Sequence, residues 1–178
     1  VGLIPKDAVK GIQKAKRNLR LFYFKFFFLC YIYFMKILSK SLEDTEKIAK
    51  DFLEKLALSS FEEATVVGLY GDLGSGKTTF TQSVAKILGI KEDITSPTFV
   101  IEKIYSLEHP FYHNLIHIDA YRLESTKEMH ALGWENISKN PHNIIFIEWP
   151  ERIADILPEN HLKLFFKFVS ENEREIEI

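Results

Sequence analysis

The chain has 178 residues, a net charge of −2 and 46% hydrophobic side chains, which suits one α/β domain with a real core. Its single cysteine, Cys30, excludes an intramolecular disulfide and a cysteine-based zinc site, and points to a reducing, cytoplasmic compartment. The charge is uneven: residues 1–34 carry +6 and the remainder −8, an acidic balance poorly matched to extensive direct contact with nucleic acid.

Residues 1–34 read as an atypical aromatic and basic extension. The run from Phe22 to Phe34 holds nine of the 24 aromatic residues and follows Lys14, Lys16, Arg17 and Arg20, a charge pattern like that of a signal anchor. The apolar run is shorter than the roughly 20 residues of a membrane span. Lys25 interrupts it, and no small-residue cleavage site follows. The expectation is that the native chain starts at Met35, the extension reflecting a mis-set start, with a membrane-associating segment as the alternative reading of 1–34, and that 35–178 is a single domain without stable membrane association.

Beyond Met35 the elements come in a clear order. Ser41-Leu42-Glu43-Asp44 is close to a capping box, and Ile48, Ala49, Phe52, Leu53 and Leu56 trace a helical apolar stripe. Ala64 to Tyr70 is a short, β-branched run suited to a buried parallel strand. Gly71-Asp72-Leu73-Gly74-Ser75-Gly76-Lys77-Thr78 follows, an uninterrupted G-x-x-x-x-G-K-[ST] phosphate-binding loop. Its glycines let backbone amides converge on a triphosphate, Lys77 reaches the β- and γ-phosphates, and the Thr78 hydroxyl suits Mg²⁺. After Thr79 a helix is predicted to about Leu88, with Phe80, Val84 and Ile87 or Leu88 on one face and Gly89 as its stop. The phosphates would then lie at a helix N-terminus.

Further on, Thr98 to Tyr105 reads as a strand after the Ser96-Pro97 break, and Asn114 to Asp119 as another. A short helix is expected within 126–138. Asn143 to Glu148 is an apolar strand stopped by Trp149-Pro150, and 162–169 with 173–178 reads as a C-terminal β-hairpin. Together these predict a P-loop NTPase-like, three-layer α/β fold with a mostly parallel central sheet.

Two strands end in acids. A magnesium site needs a carboxylate beside the loop hydroxyl, and Glu148 after an apolar strand has that form. Burying it without a cation would be costly, which favours a metal role over a solvated strand end. Asp119 is the second candidate, to orient or activate the attacking water or to reach the metal from its outer shell, with a turn-forming role before Ala120 as its plainer alternative. The hydroxyls of Thr95-Ser96-Pro97-Thr98 could sense the γ-phosphate, or simply line a polar loop. Arg122 and Arg152 are possible phosphate or partner contacts, though a surface arginine is more often a solvated charge. No pair of histidines has the spacing of a helical metal site, since Pro110 separates His109 from His113.

Four motifs, Gly71–Thr79, Ser96-Pro-Thr-Phe99, His117-Ile-Asp-Ala-Tyr-Arg-Leu123 and Ile147-Glu-Trp-Pro150, occur in this order. The set resembles the TsaE (YjeE) family of bacterial P-loop ATPases from about Leu38 onward. The resemblance implies an ATPase, with ATP and Mg²⁺ as its cofactors, serving formation of N6-threonylcarbamoyladenosine at position 37 of tRNAs that read codons beginning with A. It implies a TsaB–TsaD partner complex, with tRNA met only through partners. It also implies Lys77 on the phosphates, Thr78 and Glu148 on the metal, Asp119 in hydrolysis, Thr79 supporting the loop, Trp149 beside the metal carboxylate and segment 38–45 near the adenine. No N-K-x-D guanine-reading tetrapeptide is present. A small-molecule kinase and a non-catalytic nucleotide switch share the loop and stand as the competing classes; a kinase would call for an acceptor pocket and a basic lid.

Overall fold

A computed structural model describes residues 36–57, 62–92, 94–97 and 100–178. The proposed extension 1–34, the Met35 start and the Thr98-Phe99 part of the second motif lie outside the described residues.

Lys36–Ile178 forms one compact unit around a seven-stranded sheet of order β1-β7-β6-β2-β5-β4-β3. The strands are β1 (Lys36–Ser39), β2 (Thr65–Tyr70), β3 (Glu102–Ser106), β4 (Asn114–Asp119), β5 (Asn143–Glu148), β6 (Leu162–Phe168) and β7 (Arg174–Glu177). The four central strands, β6-β2-β5-β4, run parallel, and both edges are antiparallel. The buried, β-branched sequence of β2 and the wholly buried β5 suit strands covered on both faces.

Helices α1 (Leu42–Leu56) and α2 (Lys77–Ile87) cover one face. Phe52, Phe80, Phe146 and Phe166 meet there with ring centroids 5.5–6.5 Å apart, an aromatic cluster that locks α1 and α2 onto β5 and β6. On the other face Val66, Ile116, Ile118, Ile145 and Ile147 pack with Met129, Trp134 and Ile153. The expected three layers are present. Ser41 caps α1 by accepting from Asp44 N, while the Asp44 carboxylate accepts from Lys40 N, one residue before a true capping box would place it.

Three expectations change. The third strand starts at Glu102, because the Pro97 carbonyl accepts from both Val100 N and Ile101 N and closes a turn there. The helix of 126–138 is two short helices, α3 (Thr126–Ala131) and α4 (Trp134–Lys139), parted by Gly133 at φ 80°. Strand β1 is an addition to the expected elements; it pairs with the C-terminal strand, Lys36 opposite Glu177.

Candidate functional site

The glycine-rich loop Gly71–Gly76 turns from the end of β2 into α2. Gly71 and Gly76, with φ of 138° and 104°, hold backbone conformations that L side chains rarely adopt, and Gly76 serves as the helix N-cap. Ser75 is buried, its N–H donating to the Asp72 carbonyl, while Leu73 projects into solvent at 85% exposure. Thr79 stands in the first turn of α2, where its carbonyl accepts from Ser83 Oγ.

Lys77 begins the helix and folds back over the loop. Its Nζ donates to the carbonyls of Gly71 (2.7 Å) and Asp72 (2.8 Å) and lies 4.3 Å from the centre of the Trp149 ring. Burial pushes the ammonium below the usual lysine range, opposed by the negative charges of Glu148, Asp119, Glu151 and Asp72. Trp149 reaches that place through a left-handed backbone, φ 58° and ψ 47°, at the end of β5. Its ring also lies against Tyr121, with centroids 5.1 Å apart, and the Arg152 guanidinium sits 6.0 Å from the Tyr121 ring.

The strand-end acids converge as the parallel register demands. Asp119 and Glu148 are direct neighbours across β4 and β5, and each is 4% exposed. Glu148 is therefore no solvated strand end. Thr78 Oγ1 donates to its Oε1 at 2.7 Å, joining the first turn of α2 to the tip of β5. Asp119 does two things. Its Oδ1 accepts from Tyr121 N at 3.0 Å, capping the 3₁₀ turn Ala120–Arg122, as the turn-forming alternative expects. Its Oδ2 accepts from Ser96 Oγ at 3.1 Å, tying the Ser96-Pro97 loop to the site. Thr95 Oγ1 instead accepts from Lys103 Nζ.

Two residues to which the sequence assigns no role join the site. His117, 0% exposed, places its Nε2 2.9 Å from Glu148 Oε1. Strand alternation signals it: His117 is two residues from Asp119, so it shares the acid's face, and a polar ring on a buried face needs a partner. Arg174 of β7 donates from Nε to the Gly74 carbonyl at 3.2 Å, linking the C-terminal hairpin to the loop. A cleft of about 200 Å³ opens between residues 39–42, the loop glycines 74 and 76, Thr79 and the hairpin turn at 171–174.

Carboxylate, hydroxyl and carbonyl oxygens thus dominate the site, with the buried Lys77 and His117 among them. Among the described residues no three His, Cys, Asp or Glu side chains are grouped to hold a metal ion. No helix of the described residues is long and apolar enough to cross a membrane.

The family model described as threonylcarbamoyl adenosine biosynthesis protein TsaE matches residues 39–176. The tRNA threonylcarbamoyladenosine biosynthesis protein TsaE of Treponema pallidum is 34% identical over 144 residues, covering 81% of this chain and 99% of that one. Its Bacillus subtilis counterpart is 37% identical over 135 residues, 75% of this chain and 78% of the relative. Among solved structures, Bacillus subtilis YdiB aligns with a TM-score of 0.57 and 31% identity, over 80% of this chain and 82% of that one. A match running from the last residue of β1 into β7, over a P-loop NTPase-like architecture, means that the chain belongs to the TsaE family of threonylcarbamoyl adenosine biosynthesis proteins.

Proposed function

We propose that this protein is a cytoplasmic, Mg²⁺-dependent ATPase subunit of the machinery that forms N6-threonylcarbamoyladenosine at position 37 of tRNAs reading codons that begin with A. It acts with the TsaB–TsaD complex and meets tRNA through those partners. The observation that carries the ATPase reading is the 2.7 Å bond from Thr78 to Glu148, which joins the loop hydroxyl to a buried strand-end carboxylate. Hard oxygens from one hydroxyl and one carboxylate fit Mg²⁺, which takes few protein ligands and fills its octahedron with phosphate and water. Thr78 and Glu148 are the residues that would hold the ion, and when bound it would neutralise charge growing on the phosphate oxygens.

The chain's own groups do the rest. The amides of Gly71 to Thr79 cradle the phosphates at the N-terminus of α2. Lys77, parked on two loop carbonyls, exchanges them for β- and γ-phosphate oxygens, and its partly desolvated ammonium acts strongly on the charge of the transition state. The Asp119 carboxylate accepts a hydrogen bond from the attacking water and aims it in line with the γ-phosphorus. That step asks Asp119 Oδ2 to leave Ser96 Oγ, so the Ser96-Pro97 loop senses whether the γ-phosphate is present. The cleft beside residues 39–42 is the place for the base, in keeping with the adenine expectation for segment 38–45.

The test is ATP binding and hydrolysis by the purified chain, alone and with TsaB–TsaD. Lys77→Ala and Glu148→Ala are expected to abolish hydrolysis. Asp119→Ala should lower turnover by about 100-fold or more while changing ATP affinity far less. Near-normal turnover in Glu148→Ala would remove the metal assignment. Phosphate release in single turnover that stays slow with and without the partner would make the protein a nucleotide switch instead, and phosphate transfer to a nucleoside or sugar would make it a kinase.

A further inference from the structure

Glu148 receives two hydrogen bonds, and both fall on the same oxygen. Thr78 Oγ1 lies 2.7 Å and His117 Nε2 2.9 Å from Oε1. An ionised carboxylate has only lone pairs, so His117 must be the donor and its ring carries a proton on Nε2. The other ring nitrogen, Nδ1, is buried without a hydrogen-bond partner among the described residues. A fully buried imidazole that spends its one satisfied nitrogen on a carboxylate is poorly explained as core packing, because an aliphatic side chain would fill the space without that desolvation cost.

We infer that His117 is a positioning residue that fixes the rotamer of Glu148 for the metal. The inference rests on the reading of Glu148 as a magnesium ligand. The two bonds differ in origin. Thr78 belongs to the phosphate-binding turn, and in that reading its hydroxyl oxygen is itself taken by the ion. His117 stands on β4, one strand away from Glu148, and its bond comes from the sheet. The His117 bond therefore persists whatever the loop and its ligand do, and keeps Oε1 anchored while the rest of the carboxylate answers the metal. Outer partners of this kind commonly change metal affinity by about 10–100-fold, because they set ligand orientation before the ion arrives.

The experiment separates metal-dependent from metal-independent nucleotide binding. A non-hydrolysable ATP analogue is titrated calorimetrically into the full chain, once with Mg²⁺ and once with EDTA. Wild type, His117→Leu, His117→Asn, His117→Gln and Glu148→Gln are compared, each checked for cooperative thermal unfolding. Glu148→Gln is expected to lose most of the affinity gained from Mg²⁺. His117→Leu should lose about 10-fold of that gain, with its EDTA affinity unchanged. His117→Asn, whose amide stops short of the Nε2 position, should behave like the leucine variant and supplies the reading if His117→Leu does not fold. His117→Gln, which returns an N–H near the position of Nε2, should recover the gain. Full Mg²⁺ gain in His117→Leu or His117→Asn alongside its loss in Glu148→Gln would overturn the positioning role. Equal losses in the glutamine and leucine variants of His117 would do the same. Full gain in Glu148→Gln would instead overturn the metal reading beneath it.

Discussion

A β-carbon added at Gly71 would stand 2.1 Å from the Phe166 carbonyl oxygen, a distance no real Cβ adopts. The residue also sits at φ 138°. Close approach and backbone conformation therefore both demand glycine at the place where β2 leaves the sheet. Gly74 has φ 74°, but a β-carbon added there would meet nothing within 4 Å, so only conformation restricts it. Two glycines of one motif should thus answer alanine differently. Gly71→Ala combines overpacking with strain and should cost about 3 kcal/mol or more, or displace the loop outright. In thermal unfolding that is a fall of roughly 6–12 °C for a domain of this size. Gly74→Ala incurs the left-handed penalty alone, about 1 kcal/mol, or roughly 2–4 °C. Equal losses in the two variants would show that the Phe166 carbonyl yields easily and that the contact is unimportant.

Among the elements, β2, the loop and α2 were legible because each carries its own period or a rigid motif. Glu148 and Asp119 were legible as strand-end acids, and the parallel register then brings them side by side. What was hidden depends on distant chain. Residues 100–101 look like strand from their β-branched side chains, yet the Pro97 carbonyl captures both amides, and Ile101 adopts φ 66° while its carbonyl accepts from Asp119 N. A tertiary hydrogen bond there overrides local β-propensity. Strand β1 is too short for a period to be read, and its partner lies at the far end of the chain. Arg174 was hidden for the same reason. Besides Gly74, its guanidinium binds the carbonyls of Ser170 (2.6 Å) and Glu173 (2.9 Å) and lies 4.5 Å from the centre of the Phe168 ring. It therefore closes the β6–β7 turn and presents that turn to the loop. Arg174→Ala should weaken nucleotide binding by about 3–10-fold, the worth of one net hydrogen bond on the loop. Arg174→Lys should recover little, because an ammonium cannot reproduce a planar fork that serves several carbonyls. A calorimetric nucleotide titration of both variants decides it, and wild-type affinity in Arg174→Ala would show that the hairpin leaves the loop unaffected.

For the whole molecule, the question is where the folding unit starts. The family match runs from residue 39 to 176, and the compact unit from Lys36 to Ile178. The sheet's first edge argues for the earlier boundary. Residues 36–39 pair with β7 along its whole length, and Lys36 Nζ lies 3.2 Å from Glu177 and 3.7 Å from Glu175. Those exposed ion pairs contribute little by themselves. The strand matters more, since without it β7, the hairpin strand that carries Arg174, would present an unpaired edge. A chain beginning at Met35 should therefore unfold within about 2 °C of the full-length protein and bind nucleotide equally well. It should also be the more soluble of the two, because its net charge moves from −2 to −8 and nine aromatic residues are gone. A chain beginning at Ser41 keeps the helix cap but loses β1, and should unfold several degrees lower and self-associate. Thermal unfolding and light scattering on the three lengths test this. A large loss of stability on removing residues 1–34 would mean that those residues stabilise the folded unit, and would overturn this prediction.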